Sequence, residues 1–440
     1  MRSTLKGKTA IVIGGGWSGI AAAAHLRQAG VHAEIVDEGD RLGGRSKGQM
    51  LGDRIVTLGG KNIGKKYSRF RSFAAAHGGG GWEHFGISTS RIRNGRVAPL
   101  EGTRRGRATL SILARARPSD TIRLVRYARS ITSDDANRYL DGPAFARMTR
   151  TRDRSLSEVF GRAVLAELIR PMTVRMNGAE PNEAYLGNLG TNLALVLDDF
   201  DQLTDGFEPV LDEFTRRTIV HTNTRAMELV VDGGHIKGVI VSRQDCGNAM
   251  LESDIVVLAV PAAIAADLVR SLDPRTAQAL STVPYHPVGV VIVKYDRDIF
   301  GSVGRALVFP EGHRISNAGA YGKNDLRTIR YTFSGRAARP LLRSKASAET
   351  LLAVGERELD AVFPISHARA LHTVSEVWSN GLCSYGPDHG ALTRALTATS
   401  RTVRGLAFAG DYVAGASIEA CFVSAERATT TLAATMAEPE

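Results

Sequence analysis

The chain has 440 residues, 43% hydrophobic and 23% charged, with 46 glycines and 15 prolines. This is a globular composition with material for two or three domains, and it excludes a disordered, collagen-like or coiled-coil protein. The formal net charge is +11, carried largely by arginine, and residues 91–152 hold 15 arginines against five acids. Thr9–Ile13, rich in Ile and Val, reads as a buried parallel strand. Gly14, Gly16 and Gly19 then fill the positions of a GxGxxG turn around Trp17 and Ser18. Ile20–Ala29 follows as a helix with an alanine-rich face, and Val31–Asp37 as a second strand ending in an acid. Asp37 lies 23 residues after Gly14, close to the roughly 20-residue offset of a ribose-binding carboxylate. Gly14 permits the tight turn, Gly16 leaves room for a pyrophosphate, and Gly19 lets helix approach strand. The helix start, at Trp17 and Ser18, offers free N–H groups to phosphate. A ligand-free glycine turn is the plainer reading of an isolated GxGxxG. Strand, helix and acid in the right order make this a dinucleotide site, and the charge of Asp37, with Glu38 beside it, disfavours a 2′-phosphate.

Asp40-Arg41-Leu42-Gly43-Gly44-Arg45 comes directly after the second strand. This block resembles the flavin amine oxidase superfamily, which includes protoporphyrinogen oxidases and carotenoid-type desaturases. The resemblance implies FAD, with Gly43 and Gly44 giving close backbone approach and Arg45 a charge-assisted phosphate contact. It continues in Thr57-Leu58-Gly59-Gly60-Lys61-Asn62-Ile63-Gly64, the stretch that runs beside the flavin in that family. Tyr67–His77 reads as a helix. Ala108–Arg150 is mostly helical in pattern, broken by Pro118 and Gly142-Pro143, and Leu156–Leu168 is a further helix closed by Pro171. Asp205-Gly206-Phe207, a helix to about Arg216, and strands over 218–220, 226–231, 235–242 and 255–261 resemble the family's return to the dinucleotide fold.

Residues 284–295, 306–309, 327–333 and 370–377 read as strands, and Leu351–Phe363 as a helix. On the third of these strands Thr328, Arg330 and Thr332 share one face and Ile329, Tyr331 and Phe333 the other. A solvated polar face is the plainer reading; facing a flavin, Arg330 would hold a substrate carboxylate. Amine oxidases often carry a lysine near flavin N5, nine residues before the Phe of an aromatic pair. Aligned on Phe300 that position is Val291, with Lys294 three residues off. This departure points away from a simple amine oxidase and towards a desaturase-like or otherwise unusual oxidation. Trp378 and Tyr385 stand where the family places aromatics; core packing is the rival reading for Trp378, and Tyr385 is a candidate substrate wall. Cys383 lies in a loop that some relatives use for covalent FAD attachment, but its spacing differs, and non-covalent FAD is expected. His286 is more readily a packed histidine than a base.

Arg404–Ala409 is a short strand, Gly410-Asp411 follows, and Gly415–Cys421 opens a last alanine-rich helix. The resemblance implies that Gly410 and Asp411 contact the ribityl–pyrophosphate region. The helix start at Ser417, Ile418 and Glu419 would face the flavin N1/C2 edge, through backbone rather than the Glu419 carboxylate.

The expected fold is α/β: a Rossmann-like FAD-binding domain assembled from separated segments (1–95, 205–270, 377–440), with an inserted α+β substrate domain of a helical subdomain (96–204) and a mixed sheet (271–376). The expected activity is FAD-dependent removal of a hydride equivalent from a C–H next to N or C of a small, anionic, biosynthetic substrate. Dioxygen is the expected acceptor, and Tyr385, Arg330, Lys61 and Trp378 are the candidate catalytic residues. The alternatives are a C–C desaturase using another acceptor, and a non-oxidative FAD-binding protein or isomerase. A disulfide reductase is disfavoured because Cys246, Cys383 and Cys421 form no CxxC, and a nicotinamide-dependent monooxygenase because no second GxGxxG follows a strand. The few cysteines, no apolar run of span length and no signal peptide suit a cytoplasmic, specialised bacterial enzyme. No metal is expected, nor nucleic acid, since the basic stretch lacks interleaved aromatics. A homodimer is the ordinary prior.

Overall fold

The computed structural model describes residues 4–85, 89–93, 96–98, 112, 114–243, 247–300, 305–365 and 367–437. Cys246 and most of 99–113 lie outside them. The amino-terminal run forms the expected strand, Thr9–Ile13, followed by helix Trp17–Gln28 and strand His32–Val36. They belong to a five-stranded sheet ordered 220–221, 32–36, 9–13, 255–258, 406–408, with every pairing parallel. Its middle strands are buried on both faces, as their unbroken Ile/Val runs require. Helix Trp17–Gln28 packs on the last helix, Ile418–Thr435. Both helices bring small buried residues to the same core, Ala21, Ala22 and Ala23 on the first and Ala425 and Ala428 on the last. That packing brings the carboxyl-terminal block over the first glycine turn.

A three-stranded antiparallel sheet (224–232, 235–243, 247–252) adjoins this layer. The second large element is a mixed seven-stranded sheet ordered 370–383, 285–295, 328–333, 315–320, 306–308, 89–93, 96–98. One face packs on a core of Val291, Val293, Ile329, Tyr331 and Phe333. Thr89–Arg93 and Arg96–Ala98 are strands of this sheet, although the sequence reading kept everything to residue 95 with the cofactor domain. Ile92 and Val97 supply the inward side of an otherwise charged pair. Pro171 does not close a helix. A π-helical stretch, Leu165–Ile169, runs on into helix Arg170–Asn177 without a break, and the proline sits where the two meet. Among the described residues no helix is long and apolar enough to cross a membrane.

Candidate active site

The carboxyl ends of the parallel strands carry the site, where open α/β sheets bind ligands. Gly14 has φ +109, and an added Cβ would lie 2.5 Å from the Ala259 carbonyl oxygen. At Gly19 it would lie 1.8 Å from the Gly14 carbonyl oxygen. Both positions are therefore closed to side chains. Gly16 differs: nothing lies within 4 Å of an added Cβ. It is the N-cap of helix Trp17–Gln28, and no side chain caps that helix. An open glycine before uncapped N–H groups is the donor set a pyrophosphate needs. Trp17 itself is core, its ring edge-on to Phe70 and Phe207, and Ser18 is buried. Asp37 accepts from the backbone N–H groups of Gly15 (2.5 Å) and Gly39 (2.7 Å), which fix its carboxylate beside the turn. Glu38 is exposed.

The second block folds against the first. Gly43 N–H donates to the Gly15 carbonyl (2.9 Å), and Gly44 sits against Gly16, 3.1 Å from its would-be Cβ to the Gly16 Cα. Arg45 donates to Asp411 Oδ2 (2.8 Å) and to the Gly381 carbonyl (2.8 Å). Tyr285 OH donates to the other Asp411 oxygen (2.7 Å). One salt bridge thus joins residues 366 positions apart and ties both termini to the large sheet. Asp411 is 7% exposed and Arg45 40%; burial pulls the Arg45 guanidinium down, but Asp411 and Tyr285 more than offset it and hold it above its ordinary pKa.

The Thr57–Lys61 segment packs against the backbone of the same arginine. A Cβ on Gly59 would lie 2.0 Å from the Arg45 carbonyl oxygen, whereas one on Gly60 meets nothing within 4 Å. The pattern of one closed and one open glycine recurs. Lys61 reaches the Gln202 side chain and the Tyr321 carbonyl, with its Nζ 4.3 Å from the centroids of both the Phe85 and Tyr321 rings. Burial first, and the Arg330 charge second, pull its amine down to about 7, against opposing pulls from Glu83 and Asp325.

Arg330 corrects the solvated-face reading. It stands opposite Ile292 and Gly319 on the neighbouring strands and donates to the carbonyls of Gly59 (2.8 Å) and Thr57 (3.4 Å). Burial lowers its pKa to about 10. Trp378 packs with Leu51, Val56, Leu58, Val290 and Ile292 on this face. Tyr385 is 3% exposed and donates to the Asp411 carbonyl (3.2 Å), so its ring sits beneath the cofactor block and not on an open wall. The chain turns under Asp411 immediately after strand Ala370–Cys383 ends. Val291 faces the opposite core, and Lys294 pairs with the exposed Asp53 (3.5 Å). Cys383 is 1% exposed with its thiol pushed well up by burial, which suits a packed thiol and not a nucleophile. His286 touches Arg339, and burial draws it down to about 4, so it is neutral at pH 7.

Gly410 donates its N–H to Ser424 Oγ (3.0 Å). Ser417 caps the last helix by accepting from Ala420 N–H (3.0 Å), with Ile418 packed on the core. The Glu419 carboxylate accepts the N–H groups of Arg69 (3.1 Å) and Phe70 (3.0 Å), capping helix Ser68–Ala76. Tyr285, Gln202 and Tyr321 belong to the site but carried no local signal, since none lies in a motif.

Glycine turn, ribose acid and carboxyl-terminal clasp define a dinucleotide-binding flavoprotein. The chain belongs to the flavin containing amine oxidoreductase family, whose pattern it matches over residues 17–433. It is 26% identical to the coproporphyrinogen III oxidase of Mycobacterium tuberculosis, over 96% of each chain. Its fold is similar to that of cyclohexylamine oxidase from Brevibacterium oxydans IH-35A (TM-score 0.72, 17% identity, 97% and 99% of the two chains). It is also similar to putrescine oxidase bound to putrescine (TM-score 0.69, 16% identity, the same coverages). The protein is thus an FAD-dependent oxidoreductase with a mixed α/β fold, and the open glycines, uncapped helix and Asp37 fit that cofactor.

Proposed function

We propose that this enzyme removes a hydride equivalent from a C–H next to carbon or nitrogen of a small organic substrate that carries negative charge. The observation that carries the reading is the paired cradle, in which Gly16 and Gly60 face open space while their neighbours Gly19 and Gly59 are packed shut. In this reading residues 1–85, 205–270 and 384–440 serve the cofactor, and the helical segment and the seven-stranded sheet serve the substrate. Asp37 accepts the adenosine ribose hydroxyls. The helix start at Trp17–Gly19 and Arg45, held by Asp411, receive the phosphates, and Gly59–Lys61 and the 417–419 backbone border the flavin ring. When bound, FAD supplies the two-electron acceptor, and dioxygen regenerates it as hydrogen peroxide forms.

The chain's own groups favour oxidation without a lysine at the flavin. Val291 points away and Lys294, near the end of its strand, pairs with Asp53. Arg330 makes this part of the site cationic, which opposes a free ammonium substrate and suits one bearing acid groups. Among the named relatives this supports a porphyrinogen-like carbon skeleton over amines such as putrescine or cyclohexylamine. The few cysteines suit a cytoplasmic location.

The test is spectroscopic and then catalytic. Purified protein should show flavin bands near roughly 375 and 450 nm, released as free FAD on denaturation, and a reduced tetrapyrrole should yield peroxide in step with product. Loss of both bands would remove the cofactor assignment. Turnover with a quinone but no peroxide in air would remove the dioxygen assignment alone.

A further inference from the structure

A cleft of about 640 Å³ lies between the last helix, helix Gly390–Thr402 and the turn of residues 135–139. None of the residues given above to FAD lines it. Its apolar lining includes Leu396, Phe408, Val413 and Val423. Three polar groups on the same cleft are uncommitted. Arg427 makes one long hydrogen bond, to the Val413 carbonyl (3.5 Å), and among the described residues it has no ion pair. Tyr139 is 8% exposed and Ser400 2%, and among the described residues neither hydroxyl makes a hydrogen bond. Both residues line the cleft with Arg427.

The acids on the cleft are already taken. Glu426 pairs with Arg69 (2.7 Å) and Asp135 with Arg138 (3.3 Å). Asp141 attracts Arg427 without forming an ion pair with it, and burial, the largest influence, lowers the guanidinium pKa. Burial first, then the charges of Glu419 and Asp135, push the Tyr139 phenol up to about 12, so at pH 7 it remains a donor. Buried donors are ordinarily satisfied, and leaving them without acceptors is destabilising. Here a guanidinium and two hydroxyls are left open together, on a cleft whose size falls within the roughly 300–1,000 Å³ of small-molecule sites. An apolar lining with a few convergent polar groups is also the composition of such sites.

We propose that this cleft is a second ligand site, which takes a small carboxylate with an apolar body, anchored by Arg427 and assisted by the Tyr139 and Ser400 hydroxyls. The site is separate from the one that holds FAD and does not depend on the oxidase reading. A planar guanidinium matches the two oxygens of a carboxylate, and the hydroxyls add donors to the same group. Leu396, Phe408, Val413 and Val423 receive the apolar body. A neutral ligand would leave Arg427 unpaired, and a cationic one would be repelled by it.

The test uses the full-length holoenzyme and the variants Arg427→Gln, Tyr139→Phe and Ser400→Ala, with phenylacetate as the probe and phenylacetamide as its neutral counterpart. Calorimetric titration of the wild type should show saturable phenylacetate binding, with the flavin absorption unchanged at saturation. R427Q should weaken that binding by about tenfold or more. Y139F and S400A should each weaken it by about threefold to tenfold. Phenylacetamide should bind the wild type about tenfold more weakly than phenylacetate and should not distinguish R427Q from it. Wild-type FAD content in the variants separates loss of the site from loss of the fold, and if R427Q does not fold, Y139F and S400A carry the comparison. No phenylacetate binding by the wild type, or equal affinity in the wild type and the folded variants, would overturn the proposal. So would binding that perturbs the flavin spectrum and persists in the variants, because the carboxylate would then occupy the oxidation site.

Discussion

Gly16 and Gly19, and again Gly60 and Gly59, are glycines for opposite reasons, and substitution separates them. A side chain on Gly16 enters empty space, at a backbone of φ −75 and ψ 179 that any residue adopts. The same holds for space at Gly60. Gly16→Val and Gly60→Val should therefore leave apoprotein stability within about 0.5 kcal/mol, or raise it slightly by restricting the unfolded chain. They should weaken FAD by about 100-fold or more, roughly 2.7 kcal/mol, because the valine occupies cofactor space. Gly19→Ala and Gly59→Ala meet backbone oxygens at 1.8 and 2.0 Å, so helix or segment must shift. Each should destabilise the apoprotein by about 2–4 kcal/mol. Urea unfolding of the apoprotein and quenching of FAD fluorescence on titration measure the two effects independently. FAD binding at wild-type strength by both valine variants would refute the assignment of the cradle, and unchanged stability in both alanine variants would refute the packing argument.

Lys61, with an amine lowered from 10.5 to about 7, binds fewer protons folded than unfolded between those values, so stability should rise with pH across that window. The gap between wild type and Lys61→Met in unfolding free energy should move by about 1.4 kcal/mol per pH unit from 7 to 10; parallel curves would contradict it. Asp411→Asn leaves the Arg45 guanidinium without its acid and should lower stability by about 3 kcal/mol together with FAD affinity. Tyr285→Phe removes one bond to Asp411 and should reduce stability by about 1 kcal/mol in the same unfolding assay. Glu419→Gln weakens the cap of helix Ser68–Ala76 and should reduce stability by about 1 kcal/mol while sparing the flavin spectrum, since the carboxylate serves backbone N–H groups and not the cofactor.

Whatever is dictated within a few residues was legible. The run Thr9–Ile13, the glycine turn and Asp37 form a local device whose geometry follows from backbone freedom; the structure has the strand and the turn as expected and Asp37 one residue past strand His32–Val36. The meeting of Arg45 with Asp411 was legible only through resemblance, because a pair 366 residues apart leaves no periodicity to read. Strand Ile315–Ala320, with the sequence ISNAGA, was missed because its small polar residues have little strand preference of their own and are recruited by the strands on either side. Tyr385 was read as a wall from its place after Trp378, but strand Ala370–Cys383 ends just before it and the chain passes beneath Asp411.

Arg175 marks the deeper limit. In a chain with 56 basic residues, an arginine near a helix end is unremarkable as sequence, and favourable there on electrostatic grounds alone. What distinguishes it is the absence of a partner, which is a property of three dimensions. Arg170 and Arg175 lie five residues apart on one helix and look alike in sequence. The first meets Glu180 and becomes part of the scaffold, whereas the second has no ion pair among the described residues, and only the tertiary fold tells the two apart.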